Sequence, residues 1–197
     1  MNIFDYGITC TGYDWKNDRI YRISPRIFYS EYLQGNKRNP IESLEDARKL
    51  LTTKKGFANF IYSNPNGHPN RKVLFDLLST YKRVDSYGAY LNNMGLEKSG
   101  GADFTKLIRS STDIKSDYKF TIAAENAILS GYTTEKLYTS LEAGTIPIYW
   151  GNPDISFDVN PEAIINCYSF ESFDSMLNYV KEIDQNDDLW CEMISKP

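Results

Sequence analysis

The sequence has little histidine, little cysteine and no excess of positive charge, and each shortage removes a class of function. One histidine, His68, stands among 197 residues, so a Ser-His-Asp or Cys-His catalytic pair would have to use it. It lies in the loop Pro65-Asn66-Gly67-His68-Pro69 with no nucleophile in a recognisable spacing, and a surface role is the expectation. Cys10, Cys167 and Cys191 are far apart and never in CxxC spacing, which suggests neither a disulfide framework nor a zinc site and leaves three buried thiols as the expectation. A formal net charge of -4 gives no basic face for coating nucleic acid, although a local basic pocket remains compatible with it. No apolar stretch approaches the roughly 20 residues of a membrane span. The start MNIFDYGITC lacks the charged and apolar segments of a signal peptide, so a cytoplasmic chain is expected. The acidic run QNDD fits a helix cap as well as a cation site, and no metal is assigned. Neither GxGxxG nor GxxxxGK[ST] occurs.

What is present is enough apolar material, 41% hydrophobic and 14% aromatic, for one packed domain or one domain plus a piece of another. Residues 1 to about 50 carry no clean period: YRISPRIFYSEYL suits a strand or a short helix. SLEDARKLL predicts a helix capped by Ser43, with Leu44, Ala47, Leu50 and Leu51 on one face. GFANFIYSN is an almost unbroken apolar run, the pattern of a parallel strand buried on both faces. NRKVLFDLLSTYK then predicts a helix capped by Asn70, with Val73, Leu74, Leu77, Leu78 and Tyr81 as its stripe. A second unit follows, from the strand YKFTIAAEN through a loop to the helix TTEKLYTSLEA, closed by Gly144. TIPIYWG supplies the next strand, and ESFDSMLNYVKEI a helix with Phe173, Met176, Leu177 and Val180 inward. Alternating strands and helices predict an α/β domain on a parallel sheet, whose ligands bind at the carboxyl ends of the strands.

Two polar islands fall at such ends. Ser63, Asn64, His68 and Arg71 form the first; Glu125, Asn126, Tyr132, Thr133, Glu135 and Lys136 form the second. Arg71 and Lys136 fall in first turns of helices, where a cation opposes the helix dipole by about 0.3 to 1 kcal/mol. An anion between them reverses that sign, so a diphosphate is a candidate ligand, with solvated surface cations as the competing reading.

The segment YKFTIAAENAILSGYTTEKLYTSLEAGTIPIYWGNP resembles the signature of the α1,3-fucosyltransferases of glycosyltransferase family ten. GFANFIYSNPNGHPNRKVLFDLLSTYKRVDSYGAYLNN is similar to the first strand and helix of that family's donor domain, NPEAIINCYSFESFDSMLNYVKEID to its closing segment, and FDYGITCTGYDW to the link between its domains. Ala124 and Tyr87 depart from the family's usual Phe and Gly.

The resemblance implies a Rossmann-like parallel sheet with helices on both faces, the C-terminal half of a two-domain GT-B architecture. Residues 1–50 would be linker and remnant of the acceptor-side domain, and 51–197 the donor domain. It implies inverting transfer of fucose from GDP-fucose to a GlcNAc or Glc hydroxyl of a glycan, without a cofactor or required metal and without nucleic acid. Arg71 and Lys136 would contact the diphosphate, and Glu135, counted with them as catalytic, would line the pocket with Asn126, Tyr132, Asn64 and Thr134. Glu125 would be a ligand group or a residue that orients the loop. The general base is expected on a separate acceptor domain. A binding module that no longer catalyses, a donor other than GDP-fucose, and a peripheral place at the inner membrane stay open.

Overall fold

The computed structural model describes residues 6–12, 18–23, 41, 43–95 and 111–196. Most of the segment YRISPRIFYSEYL therefore lies outside the described residues. Strands β1 (Gly7–Thr9) and β2 (Ile20–Arg22) pair in parallel as a small sheet of their own. Helix α1 (Leu44–Leu51) follows, capped as expected by Ser43, whose hydroxyl accepts the Asp46 N–H. It packs on the last helix of the chain, with Ala47 fully buried in the main core.

The main sheet has five parallel strands: β3 (Gly56–Phe60), β4 (Val84–Ser86), β5 (Tyr118–Ala124), β6 (Ile146–Trp150) and β7 (Ile165–Asn166), in the order β4-β3-β5-β6-β7. Packed around it among the described residues are α2 (Asn70–Ser79), α3 (Glu135–Glu142), α4 (Phe173–Gln185) and α5 (Asp187–Ile194). Successive residues of a strand point to opposite faces, and the core divides accordingly. Phe120, Ile122, Ala124, Ile146, Ile148 and Trp150 join the cluster that contains side chains of α2, α4 and α5. Ala123 and Tyr149, one residue out of phase, pack with Leu137 and Leu141 of α3. This is why the strands read as continuous apolar runs rather than alternating ones.

Several local expectations hold. Gly144 ends α3 at a φ of 63°, and Asn186 of the QNDD run caps α5 by accepting the Asp188 and Leu189 N–H groups. Others need correction. Helix α2 is capped at Pro69 rather than Asn70, which already lies in the helix, its N–H donating to His68 Nδ1 at 3.2 Å. Val73 is exposed, since the stripe of α2 centres on Leu74 and Leu78. Cys167 and Cys191 are buried, but Cys10 is only half-buried beside the small sheet.

Candidate functional site

Strand β5 ends at Ala124, and the next residue turns its side chain into the protein. Glu125 anchors first through its backbone, whose N–H donates to the Trp150 carbonyl at 2.8 Å. Its carboxylate is fully buried. One oxygen accepts the Thr134 N–H at 2.7 Å, and the other accepts the Thr134 hydroxyl at 2.6 Å and lies 3.4 Å from Lys136 Nζ. Thr134 is the N-cap of α3 but makes no capping bond with its own side chain. The anion that a helix start favours comes instead from nine residues upstream. Gly151 makes room for it: a Cβ there would stand 2.5 Å from the Cβ of Glu125.

Lys136 also donates to Thr134 Oγ1 at 2.9 Å and pairs with Glu135 at 3.2 Å. Burial raises the Glu125 carboxyl above its ordinary value, against the Lys136 charge and the Thr134 hydrogen bonds, which favour ionisation. Burial alone would raise Glu135 too. There the Lys136 charge and the surrounding hydrogen bonds outweigh it and hold the carboxyl below its usual range.

Arg71 approaches the same strand end from α2. It is 2% exposed, its Nε lies 3.4 Å from the Ala124 carbonyl, and its guanidinium carbon sits 4.6 Å from the centre of the Tyr62 ring. Tyr62 is itself fixed: its hydroxyl accepts the Ala124 N–H at 2.7 Å and lies 2.9 Å from the Ile122 carbonyl. Arg71 Nη2 is buried with no hydrogen-bond partner among the described residues. A buried guanidinium N–H left unpaired is costly, and it marks a place prepared for an acceptor that no described residue supplies.

The structure thus brings Arg71, Glu125, Thr134, Glu135 and Lys136 around one strand end. Half-buried Tyr132 joins them: burial raises its hydroxyl above the ordinary tyrosine range, and the charges of Lys136, Glu125, Glu135 and Arg71 all reach it. The surface-cation reading of Arg71 and Lys136 does not hold, since one is buried and the other shows 18% of its side chain. Asn126 meets the first island through its backbone, its carbonyl accepting the His68 N–H at 3.1 Å, while its side chain is exposed. Asn64 is exposed, and its Oδ1 closes a local turn by accepting the Asn66 N–H. Ser63 is exposed as well.

Sequence reasoning missed three participants and misplaced a fourth. His68, expected at the surface, is half-buried with its ring tilted against Trp150, centroids 4.3 Å apart. Tyr62 carried no signal beyond its place in an apolar run. Asn152 and Asp158 bind Thr133 at 3.0 and 2.9 Å, and Asp158 also holds Arg22 at 2.7 Å, tying β2 to the loop before α3. The one sequence hint was the Gly151-Asn152-Pro153 turn directly after β6. Among the described residues no group of three or more His, Cys, Asp or Glu side chains is placed to hold a metal ion, and no helix is long and apolar enough to cross a membrane.

An open parallel sheet with two cations at helix starts on its carboxyl edge, Lys136 paired with carboxylates and Arg71 buried, defines a Rossmann-like domain. More narrowly, the chain belongs to glycosyltransferase family 10, the fucosyltransferases: the description of that family's C-terminal region matches residues 51–194. It is 33% identical over 141 residues to an alpha-(1,3)-fucosyltransferase FucT of Helicobacter pylori, covering 72% of this chain and 27% of that protein. It is 34% identical over 164 residues to a putative fucosyltransferase R654 of Acanthamoeba polyphaga mimivirus, covering 79% and 27%. A crystal structure of an alpha1,3-fucosyltransferase with GDP-fucose superposes with a TM-score of 0.77 at 28% identity, over 99% of this chain and 62% of that one. The chain thus spans about a quarter of the length of these two curated relatives. The α/β, GT-B type of fold expected from the sequence is the one observed.

Proposed function

We propose that this chain binds GDP-fucose at the carboxyl edge of β3, β5 and β6 and serves the inverting transfer of fucose to a GlcNAc or Glc hydroxyl of a glycan. The observation that carries the reading is the unpartnered, buried Nη2 of Arg71 beside the Lys136–Glu125 pair. Family membership supplies the substrate class, because the superposed relative is described as holding GDP-fucose.

In the reaction the acceptor oxygen attacks the anomeric carbon of fucose from the face opposite the diphosphate. The bond from that carbon to the phosphate oxygen breaks, and its electron pair leaves on GDP. Arg71 donates Nη2 to the departing phosphate, where a fixed donor does most to lower the barrier. Lys136 turns from the carboxylates to the same group. Glu135, one-third exposed and ionised, accepts hydrogen bonds from sugar hydroxyls, and Tyr132 packs against a flat part of the donor. Glu125 is fully buried, with both oxygens bonded to Thr134, and holds the first turn of α3 rather than the ligand. The acceptor's proton goes to a base presented from the acceptor side.

Calorimetric titration of the chain with GDP, GDP-fucose, GDP-mannose and UDP-galactose tests the reading. Binding of GDP and GDP-fucose that weakens with salt and survives chelator is expected, with UDP-galactose much weaker. Equal binding of all four, or none, would overturn it.

A glycine beside the site offers a test that leaves every charge in place. An alanine Cβ at Gly67 would stand 2.5 Å from the guanidinium carbon of Arg71. The added methyl meets only the far end of a long side chain, so Gly67→Ala should displace the guanidinium from Tyr62 at a modest cost in thermal stability. It should still lower GDP affinity by about tenfold, one charge-assisted hydrogen bond's worth. Unchanged affinity would place the phosphate elsewhere.

A further inference from the structure

A third cation lies behind the site, and nothing in the proposed chemistry uses it. Lys115 belongs to the helical segment 111–116 that leads into β5, and it is 6% exposed. Its Nζ donates to Thr139 Oγ1 at 2.5 Å, and that hydroxyl donates to the Glu135 carbonyl at 2.6 Å. The chain of bonds ends in the first turn of α3, beside Lys136. No carboxylate pairs with Lys115 among the described residues; one neutral hydroxyl faces a buried amine. Such a group serves stability poorly, since an apolar side chain of similar size fills the space at lower cost.

The charged groups that face it are Glu135 and Lys136 from α3 and Glu125 from the end of β5. Burial pushes its pKa down to about 7, while the two carboxylates pull upward and Lys136 downward. In the free protein the charge around the strand end is already balanced, Arg71 and Lys136 against Glu125 and Glu135. A nucleoside diphosphate brings more negative charge than those two cations have unspent.

We propose that Lys115 is a positioning and charge-balancing residue of the donor site: acting through Thr139 on the first turn of α3, it takes up a proton when the diphosphate arrives, so that donor binding is coupled to proton uptake. The inference rests on the donor-site reading given above. It follows that affinity is greatest below the free-state pKa of Lys115 and declines as pH rises from there toward the bound-state value.

Calorimetric titration of the 197-residue chain with GDP at pH 8.0, in two buffers of different ionisation enthalpy, counts the protons. Wild type should take up roughly 0.5 to 0.9 proton per GDP, and its affinity should fall by up to about tenfold per pH unit above 7.5. Lys115→Met and Lys115→Gln should lose both the uptake and the pH slope and bind GDP several-fold more weakly at pH 7. The ligand-free Lys115→Met chain should melt at or above the wild-type temperature, which a merely structural lysine would not allow. Uptake and slope that survive both substitutions, or weaker binding that follows a lowered melting temperature, would overturn the role. No proton uptake by wild type would overturn it even if neither variant folds. Should GDP bind wild type but not Arg71→Ala while the Lys115 signature is missing, this inference falls and the donor-site reading stands; absence of GDP binding to wild type removes both.

Discussion

Arg71→Ala is expected to lower GDP affinity by about tenfold or more, the loss of one charge-assisted hydrogen bond at roughly 1.5 to 3 kcal/mol. The size of the effect follows from where the guanidinium sits. It is buried, pressed on the Tyr62 ring and short of one partner, so its cost of desolvation and ordering is already met in the free protein. A phosphate oxygen that reaches it gains the hydrogen bond without that cost. For the same reason the ligand-free alanine variant should keep its melting temperature or gain slightly, because removing an unsatisfied buried donor relieves strain on the fold. The combination separates binding from folding. Arg71→Lys should rescue little, since an ammonium cannot present the planar fork that reaches both Ala124 and the ligand. Isothermal titration with thermal melting checks both variants, and an alanine variant that binds GDP normally would remove Arg71 from the site.

The elements that position this arginine were legible because their signals are local. β3, β5 and β6 are largely apolar runs, and α3 is bounded by a Thr and a left-handed glycine. Arg71 and Lys136 were legible as a pair because both stand at helix starts after such strands. What could not be read was how far each is buried and by what. Burial of Arg71 depends on Tyr62, whose hydroxyl is fixed by the backbone of β5, sixty residues away. The clamp on the loop before α3 joins Arg22 to Asp158 across 136 positions. Neither pairing leaves a periodic trace. The start of α2 was misread for a more local reason: the helix is capped one residue earlier than the asparagine suggests, at Pro69, and the N–H of that asparagine donates to the imidazole of His68. A cation at a helix start also looked mildly unfavourable until a ligand came. In the folded chain Glu125 and Glu135 already answer Lys136, which makes the site a place of exchange rather than a bare positive patch.

That exchange sets the expected behaviour of Glu125. Truncation to alanine would strip the partner from the Thr134 N–H, leave Thr134 Oγ1 and Lys136 without their buried carboxylate, and open space against Gly151. Removing one side of a buried, hydrogen-bonded charge pair typically costs about 3 to 5 kcal/mol. For a chain of this length that is a fall in melting temperature of roughly 6 to 20 °C. Glu125→Gln keeps the shape and one acceptor for the Thr134 N–H, but its amide NH2 cannot accept the Thr134 hydroxyl, so about 1 to 2 kcal/mol is lost instead. Ligand binding should move the other way. With the carboxylate charge gone, Lys136 has one anion fewer to leave, and GDP affinity of the glutamine variant should equal or exceed that of wild type. A residue that touched the donor would show the reverse, a stable protein that binds poorly. Melting curves and GDP titration of Glu125→Gln therefore decide between the two roles, and a tenfold loss of affinity at unchanged melting temperature would make Glu125 a ligand group rather than the anchor of α3.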